Sequence, residues 1–391
     1  MLRLTQSPTD PDFIQNPYAF YDRARKGGDI VWWDDYDMPM AVSFRAVNAL
    51  LRDRRFGREP VEPIAFPDHL APFYAVEAHS MLELEAPRHT RLRKLVLRAF
   101  TSRRIAGLGP EIDALAHQLI DDFPSDDFDL LPAFATRIPV IIICRLLGVP
   151  EDMADHLLSW SNAMVSMYQA RRTRAIEDEA VAATEAFVAF MRDYVDQRRN
   201  DPRDDLITEL IAAEEAGERL STDELISTCI LLLNAGHEAT VHAMAIAVKT
   251  LLEQAVDPSF LTPDTRDATV EETLRFDPPL HMFTRYVYED TVLYGENFKR
   301  GDKIGLLLGG ANRDPDVWDD PNDFDPARPI KPNTSFGAGA HFCIGAPLAR
   351  LELTRALPIL FDRCPDLHLT APPQFGNVYH FHGLKRLMVR C

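Results

Sequence analysis

The sequence predicts a mostly α fold of the α+β kind, a single large domain over residues 1–391 with a helical core and small β-sheets. Three observations lead there. Apolar residues recur at three- and four-residue spacing along most of the chain, strand patterns are few and short, and no repeat, low-complexity tract or linker divides the 391 residues. At about 150 residues per domain the length alone suggests two or three units. The lack of any dividing segment overrides that prior.

Helical spacing runs from about Ile112 to Asp122, Pro139 to Leu147 and Asp152 to Tyr168. A longer helix is expected from Ala175 to Arg199, with Ala180, Ala183, Phe187, Met191 and Tyr194 on one side and charge on the other. DPRDDLITELI opens the next helix. Then Ser221, with Glu224 three residues on, forms a capping box that starts a helix of about thirty residues. That helix is apolar nearly all round, which places it in the core. Short strands are expected at Ile30–Trp33, Pro39–Val42, Phe283–Tyr288, Thr291–Tyr294, Lys303–Leu308 and Leu387–Val389.

Composition narrows the function. Sixty acids against 42 Lys and Arg give a net charge of −18, which repels phosphate backbones and excludes nucleic acid as a partner. Five widely spaced cysteines suit neither a disulfide framework nor a four-thiolate zinc site. The first residues lack the apolar core of a signal peptide, and no uninterrupted apolar run approaches the ~20 residues of a bilayer span. The expectation is a soluble, cytoplasmic monomer with no membrane partner.

The most informative segment is SFGAGAHFCIGAPLARLEL, residues 335–353. Gly337, Gly339 and Gly345 bracket Cys343, and a helical pattern follows. Backbone N–H groups and the helix dipole both favour a thiolate at such a position. On the residues alone Cys343 is a structural cysteine, a nucleophile beside His341, or a thiolate ligand to haem iron.

FGAGAHFCIGAPLAR, from Phe336 through Cys343 to Arg350, resembles the haem-binding signature of the cytochrome P450 family at every defining position. That resemblance implies haem b held by Cys343, with Phe336, His341 and Gly345 around it. Other segments fit the same family in order. Glu272 and Arg275 resemble its Glu-x-x-Arg pair, completed by Arg328 as a structural triad. His89 and Arg93, four apart on one helical face, resemble its propionate ligands, as does Arg285. AGHEAT, Ala235 to Thr240, resembles the central-helix motif: Ala235 and Gly236 would kink the helix and make room for dioxygen, and Glu238 with Thr240 would relay protons. Here the sequence departs from the family, with Ala239 at the usual threonine position and Thr240 one residue later, ~100° around the helix.

The resemblance implies a soluble bacterial monooxygenase that activates dioxygen to hydroxylate or demethylate a small lipophilic molecule. Its electrons would come from a ferredoxin or flavodoxin served by a reductase. Two alternatives stand beside it: a peroxide-using or rearranging haem-thiolate enzyme that needs no reductase, and a haem sensor or carrier. By the same resemblance the pocket would draw on Phe73, Tyr74 and Met81, and on Met164, Met167 and Tyr168. The central helix would add Leu233 and Asn234, the strand His281, Met282 and Phe283, and the C-terminal turn Tyr379, Phe381 and His382. Finally, residues 88–104 hold seven Lys or Arg and no acid. With Arg350 and Arg355, the cations Arg98, Arg103 and Arg104 are expected to form a basic docking patch for an acidic electron donor.

Overall fold

The computed structural model describes residues 1–168, 172–215, 220–379 and 381–391, without the side chains of Ala99, Glu214, Glu215 and His237. Among these residues the long helices are α1 (Arg88–Ala99), α2 (Gly109–Asp121), α3 (Arg137–Leu147), α4 (Ala154–Val165), α5 (Arg174–Asn200), α6 (Leu206–Glu215), α7 (Thr222–Glu253), α8 (Arg266–Phe276) and α9 (Ala346–Arg363).

Local chemistry sets several of their ends. Ser221 and Glu224 form the expected reciprocal capping box at the start of α7. The Thr173 hydroxyl caps α5 by accepting from the Ile176 N–H. Gly148 ends α3 at φ +85°, a conformation that costs glycine little. Pro139 sits in the first turn of α3, where its missing N–H would have had no helical partner.

Helix α7 packs on α3, α5, α8 and α9, at the centre of the largest hydrophobic cluster. It is long and apolar enough to cross a membrane by length and composition, and here its apolar faces are covered by these neighbouring helices. Two smaller apolar clusters lie around a six-stranded sheet. The sheet runs in the order 2–4, 30–33, 38–41, 303–307, 282–287, 56–57. Strand Met282–Val287 pairs antiparallel with Lys303–Leu307, with Arg285 opposite Ile304. A three-stranded sheet joins 368–369, 388–390 and 128–129, and the strands 374–375 and 384–386 pair with each other beside it.

The expected long helices and six strands recur within a few residues of their predicted limits. Two-residue strands such as Phe56–Gly57 and Phe128–Asp129 were not expected, because pairs this short show no alternation. One expectation is corrected. The α7 segment runs through Ala235 and Gly236 as unbroken α-helix, so the hydrogen-bonded helix does not open there. Gly236 instead serves close packing: a Cβ there would lie 2.8 Å from Ile143 Cγ1, where α3 crosses.

Candidate functional site

Cys343 stands in a loop that only glycine can build. Gly337 and Gly339 have φ of +67° and +69°, and a Cβ at Gly339 would lie 2.3 Å from the Leu51 carbonyl oxygen. The Cys343 N–H donates to the Phe336 carbonyl at 2.9 Å, closing the turn. α9 then begins at Ala346, with the Gly345 and Ala346 N–H groups directed at the sulfur.

Cys343 keeps accessible surface, yet its sulfur is recessed. Loss of water pushes its pKa up, and the two N–H groups and the charges of Arg93 and Arg350 only partly oppose this. A metal cation beside the sulfur would favour the thiolate.

The expected cations converge on this loop. His89, buried in α1, lies against His341 with ring centroids 4.2 Å apart. His341 Nε2 sits 2.9 Å from Glu85 Oε1. Burial, and then the charge of His341, lowers the His89 pKa to about 4. Burial pushes the Glu85 carboxyl up, but hydrogen bonds from His341 and the Arg58 N–H outweigh it and leave it below its usual range. Arg93 donates to the Phe342 carbonyl at 2.6 Å, beside the cysteine.

Arg285 is 2% exposed, and its one side-chain hydrogen bond among the described residues is to its neighbour's carbonyl, Thr284 O, at 2.9 Å. Burial, then the charge of Arg58, lowers its pKa to about 9. A buried guanidinium with most of its donors unmatched calls for an anion. Together these residues fit a haem: Cys343 would hold its iron, and the desolvated nitrogens of His89, His341, Arg93 and Arg285 would meet its two carboxylates. Arg58 was not expected from sequence. It stands within 5.8 Å of the Phe283 ring, on which Arg285 also rests at 5.8 Å, and no motif marks it. Phe336 is half-buried under the Arg350 guanidinium, 4.5 Å from the ring centroid.

The Glu272 triad is deep in the protein. Arg275 Nε and Nη2 each donate to the Glu272 carboxylate at 2.7 Å, and Arg328 Nε donates to it at 3.2 Å. Arg275 also donates to the carbonyls of Asn312 and Pro321 at 3.0 and 2.9 Å, tying α8 to the segment before the cysteine loop.

A cleft of about 390 Å³ opens beside α7. Its walls are Leu131 and Thr136 before α3, Leu158, Asn162, Val165 and Ser166 around α4, and Glu238, Val241 and His242 on α7. The C-terminal segment closes it with Val378, Phe381, Leu384 and Lys385. Burial raises the Glu238 pKa to about 7. Ala235, one turn earlier, is exposed. Thr240 is buried and is not among the residues that line this cleft.

The expected pocket residues fare differently. Phe381 lines the cleft. His281, Tyr379 and His382 do not, because each is buried and its polar tip is engaged within the protein. Tyr21 Oη lies 2.8 Å from His281 Nδ1 and 2.6 Å from Tyr379 Oη, and His382 stacks on Phe375 at 3.7 Å. Phe73, Met81, Met164, Met167, Leu233 and Met282 are buried core. Tyr74 stacks on Phe66, Tyr168 donates to Glu77, and Asn234 Nδ2 faces the Met164 sulfur at 3.8 Å. Phe283 is half-buried beneath Arg58 and Arg285. For these buried residues the helical spacing marks packing. His242, Leu158 and Lys385 were missed because nothing in their local sequence distinguishes them.

The basic patch is also corrected. Arg104 pairs with Asp204 and Glu209 at 2.7 and 2.6 Å, Arg350 with Glu271 and Arg355 with Asp113. Arg91 pairs with Glu224. Lys94 and Arg103 remain as exposed cations with no ion pair among the described residues.

A profile described as "Cytochrome P450" matches residues 266–370, from α8 through the cysteine loop. The cytochrome P450 monooxygenase PikC of Streptomyces venezuelae is 34% identical over 407 residues, covering 97% of this chain and 92% of that protein. The vitamin D(3) 25-hydroxylase of Pseudonocardia autotrophica is 38% identical over 369 residues, covering 91% and 88%. The crystal structure of P450BioI in complex with hexadec-9Z-enoic acid ligated acyl carrier protein superposes with a TM-score of 0.91 at 32% identity, covering 97% of this chain and 99% of that one. Likeness of this extent, with the cysteine loop, the buried triad and the convergent cations in place, shows that the chain belongs to the cytochrome P450 family.

Proposed function

We propose that this monooxygenase holds haem b through Cys343, with His89, Arg93, Arg285 and His341 serving its carboxylates, and hydroxylates or demethylates a small lipophilic molecule with polar substituents. The observation that carries the reading is the cysteine loop itself. The thiol receives two helix-terminal N–H groups on a turn fixed by Gly337 and Gly339, and the charges of Arg93 and Arg350 act on it. When bound, the haem supplies the oxygen chemistry, and thiolate ligation favours O–O cleavage. The chain's own residues orient and protonate. Glu238, with its pKa near 7, exchanges a proton at the cleft wall at physiological pH. Leu131, Leu158, Val165, Val241, Val378 and Leu384 exclude water and grip apolar surface, while Asn162, Ser166 and Lys385 offer polar contacts. The named reaction of the vitamin D(3) relative supports a lipophilic substrate.

Electrons would come from a ferredoxin or flavodoxin with its reductase, in the cytoplasm, to a monomer. Lys94 and Arg103 are the exposed cations open to such a partner, with Arg98, Arg104 and Arg350 nearby in sequence or on the cysteine-loop helix. A reduced carbon monoxide difference spectrum tests the central claim. Thiolate ligation gives its characteristic Soret band, and Cys343→Ala removes it. An unchanged spectrum in that variant overturns the assignment. One observation favours a second reading. With Ala239 at the usual threonine position and Thr240 buried outside the cleft lining, a hydroxyl relay from α7 has less support, so a peroxide-driven reaction is the alternative. Turnover with a ferredoxin system against turnover with peroxide alone separates the two.

A further inference from the structure

Two cysteines outside the haem site meet. Cys364 caps the C-terminus of α9 and is 5% exposed. Cys391 follows strand 388–390 and is exposed. Their sulfurs are 2.9 Å apart, less than an ångström beyond the ~2.05 Å of a disulfide bond. The 18 residues of α9, roughly 27 Å of helix, separate this pair from the Cys343 loop. Cys144 and Cys229 are buried elsewhere in the core, so Cys364 and Cys391 are the one pair of free thiols that the described structure records in contact.

We propose that Cys364 and Cys391 form a peroxide-responsive modification site, closing into a disulfide that ties the C-terminal segment to the end of α9. The exposed Cys391 meets the oxidant. Hydrogen peroxide transfers one oxygen to its sulfur, giving a sulfenic acid and water. The Cys364 sulfur then attacks the Cys391 sulfur and the S–S bond forms. Hydroxide leaves and takes up the Cys364 proton as a second water, so two thiols and one peroxide give one disulfide and two waters. A dithiol reductant reverses the reaction by exchange.

The closed loop runs from 364 to 391. It contains the strand pair 374–375 and 384–386 and the cleft residues Val378, Phe381, Leu384 and Lys385. The bond therefore anchors both ends of one cleft wall. The reaction is slow at neutral pH, because burial and the Cys364 contact push the Cys391 pKa up to about 12. Its rate rises with pH as thiolate accumulates.

The test uses the reduced holoenzyme, treated with hydrogen peroxide and, in a parallel sample that spares the haem, with oxidised glutathione. In denaturant the reduced protein titrates as five thiols. After oxidation it is expected to titrate as three, with Cys364 and Cys391 in one linked peptide under non-reducing digestion, and dithiothreitol restores five. Amide exchange across 374–391 is expected to slow at least severalfold in the oxidised form. Cys391→Ser and Cys364→Ser each abolish the linked peptide while keeping the carbon monoxide spectrum. Five thiols after treatment, a covalent dimer in place of the internal link, or unchanged thiol loss in Cys391→Ser overturns the proposal.

Discussion

Glu271 and Glu272 are neighbours in sequence with different surroundings, and replacing each by glutamine separates a fully buried ion cluster from a pair whose arginine reaches solvent. Glu272 is 3% exposed. It accepts two bonds at 2.7 Å from Arg275, one at 3.2 Å from Arg328 and one at 3.0 Å from the Asp325 N–H. Glutamine keeps the volume, but it removes the only charge balancing two arginines within this cluster and turns an N–H₂ toward their donors. Breaking a buried pair from one side costs about 3–5 kcal/mol, roughly two to four powers of ten in the folding equilibrium. Glu271 faces Arg350, whose side chain is 37% exposed, so Glu271→Gln is expected to cost about 0–1 kcal/mol. Urea unfolding followed by tryptophan fluorescence reads both, at low and high sodium chloride. Salt should shrink the Glu271 effect and leave the Glu272 effect in place. A Glu272→Gln cost no larger than that of Glu271→Gln would refute the view that the triad is a desolvated structural lock.

Three further outcomes follow from the same geometry. Gly339→Ala, strained at φ +69° and 2.3 Å from Leu51 O, should lower haem content severalfold by Soret absorbance per chain, whereas Gly345→Ala, whose Cβ meets only the Cys343 sulfur at 3.8 Å, should retain haem. Because burial raises the Glu238 pKa to about 7, its stabilising contribution is complete below the unfolded value near 4.5 and is lost as pH rises through 7. Turnover that needs its proton should fall over the same range, and Glu238→Gln should give a lower, flat profile in a pH–rate measurement. Gly383→Ala would place a Cβ 2.3 Å from the His242 ring, so it should shift substrate-binding difference spectra severalfold in Kd while Soret absorbance per chain stays within a factor of two.

How much of this was legible in the sequence depends on the range of the interaction. The capping box at Ser221, the core position of α7 and the glycine turn at Cys343 are local, so spacing and residue type announce them. The buried ends of Glu272, Arg275 and Arg328 are not local: an i, i+3 pair reads as a surface pair until packing is known, and the family resemblance supplied what periodicity could not. Most residues assigned to the pocket are buried for the same reason. Methionines and aromatics at helical spacing, such as Met164 and Met167, fill the core, while cleft residues such as Lys385 and Leu158 acquire their role through strands and helices that meet only after folding. Paired cations show the effect most plainly. The run 88–104 looked like an open basic face, yet Arg91 and Arg104 are paired with acids more than 95 residues away, which the local sequence does not reveal.

The electrostatics of the cysteine loop then connect stability to cofactor binding. His89 is held neutral with a pKa near 4, Arg285 is pressed down to about 9, and the Cys343 thiol is pushed up. In each case burial is the largest cause, and each group is thereby driven away from its charged form. A structural core would relieve such groups with local partners, as it does for Arg275. These three instead share a deficit that one ligand of mixed charge relieves, a metal cation for the sulfur and carboxylates for the imidazole and guanidinium. Haem retention and folding stability therefore draw on the same desolvated groups. An apolar replacement of Arg285 should cost the fold less than breaking Glu272, because it removes a cation that the protein alone leaves unpaired, and it should weaken haem retention more.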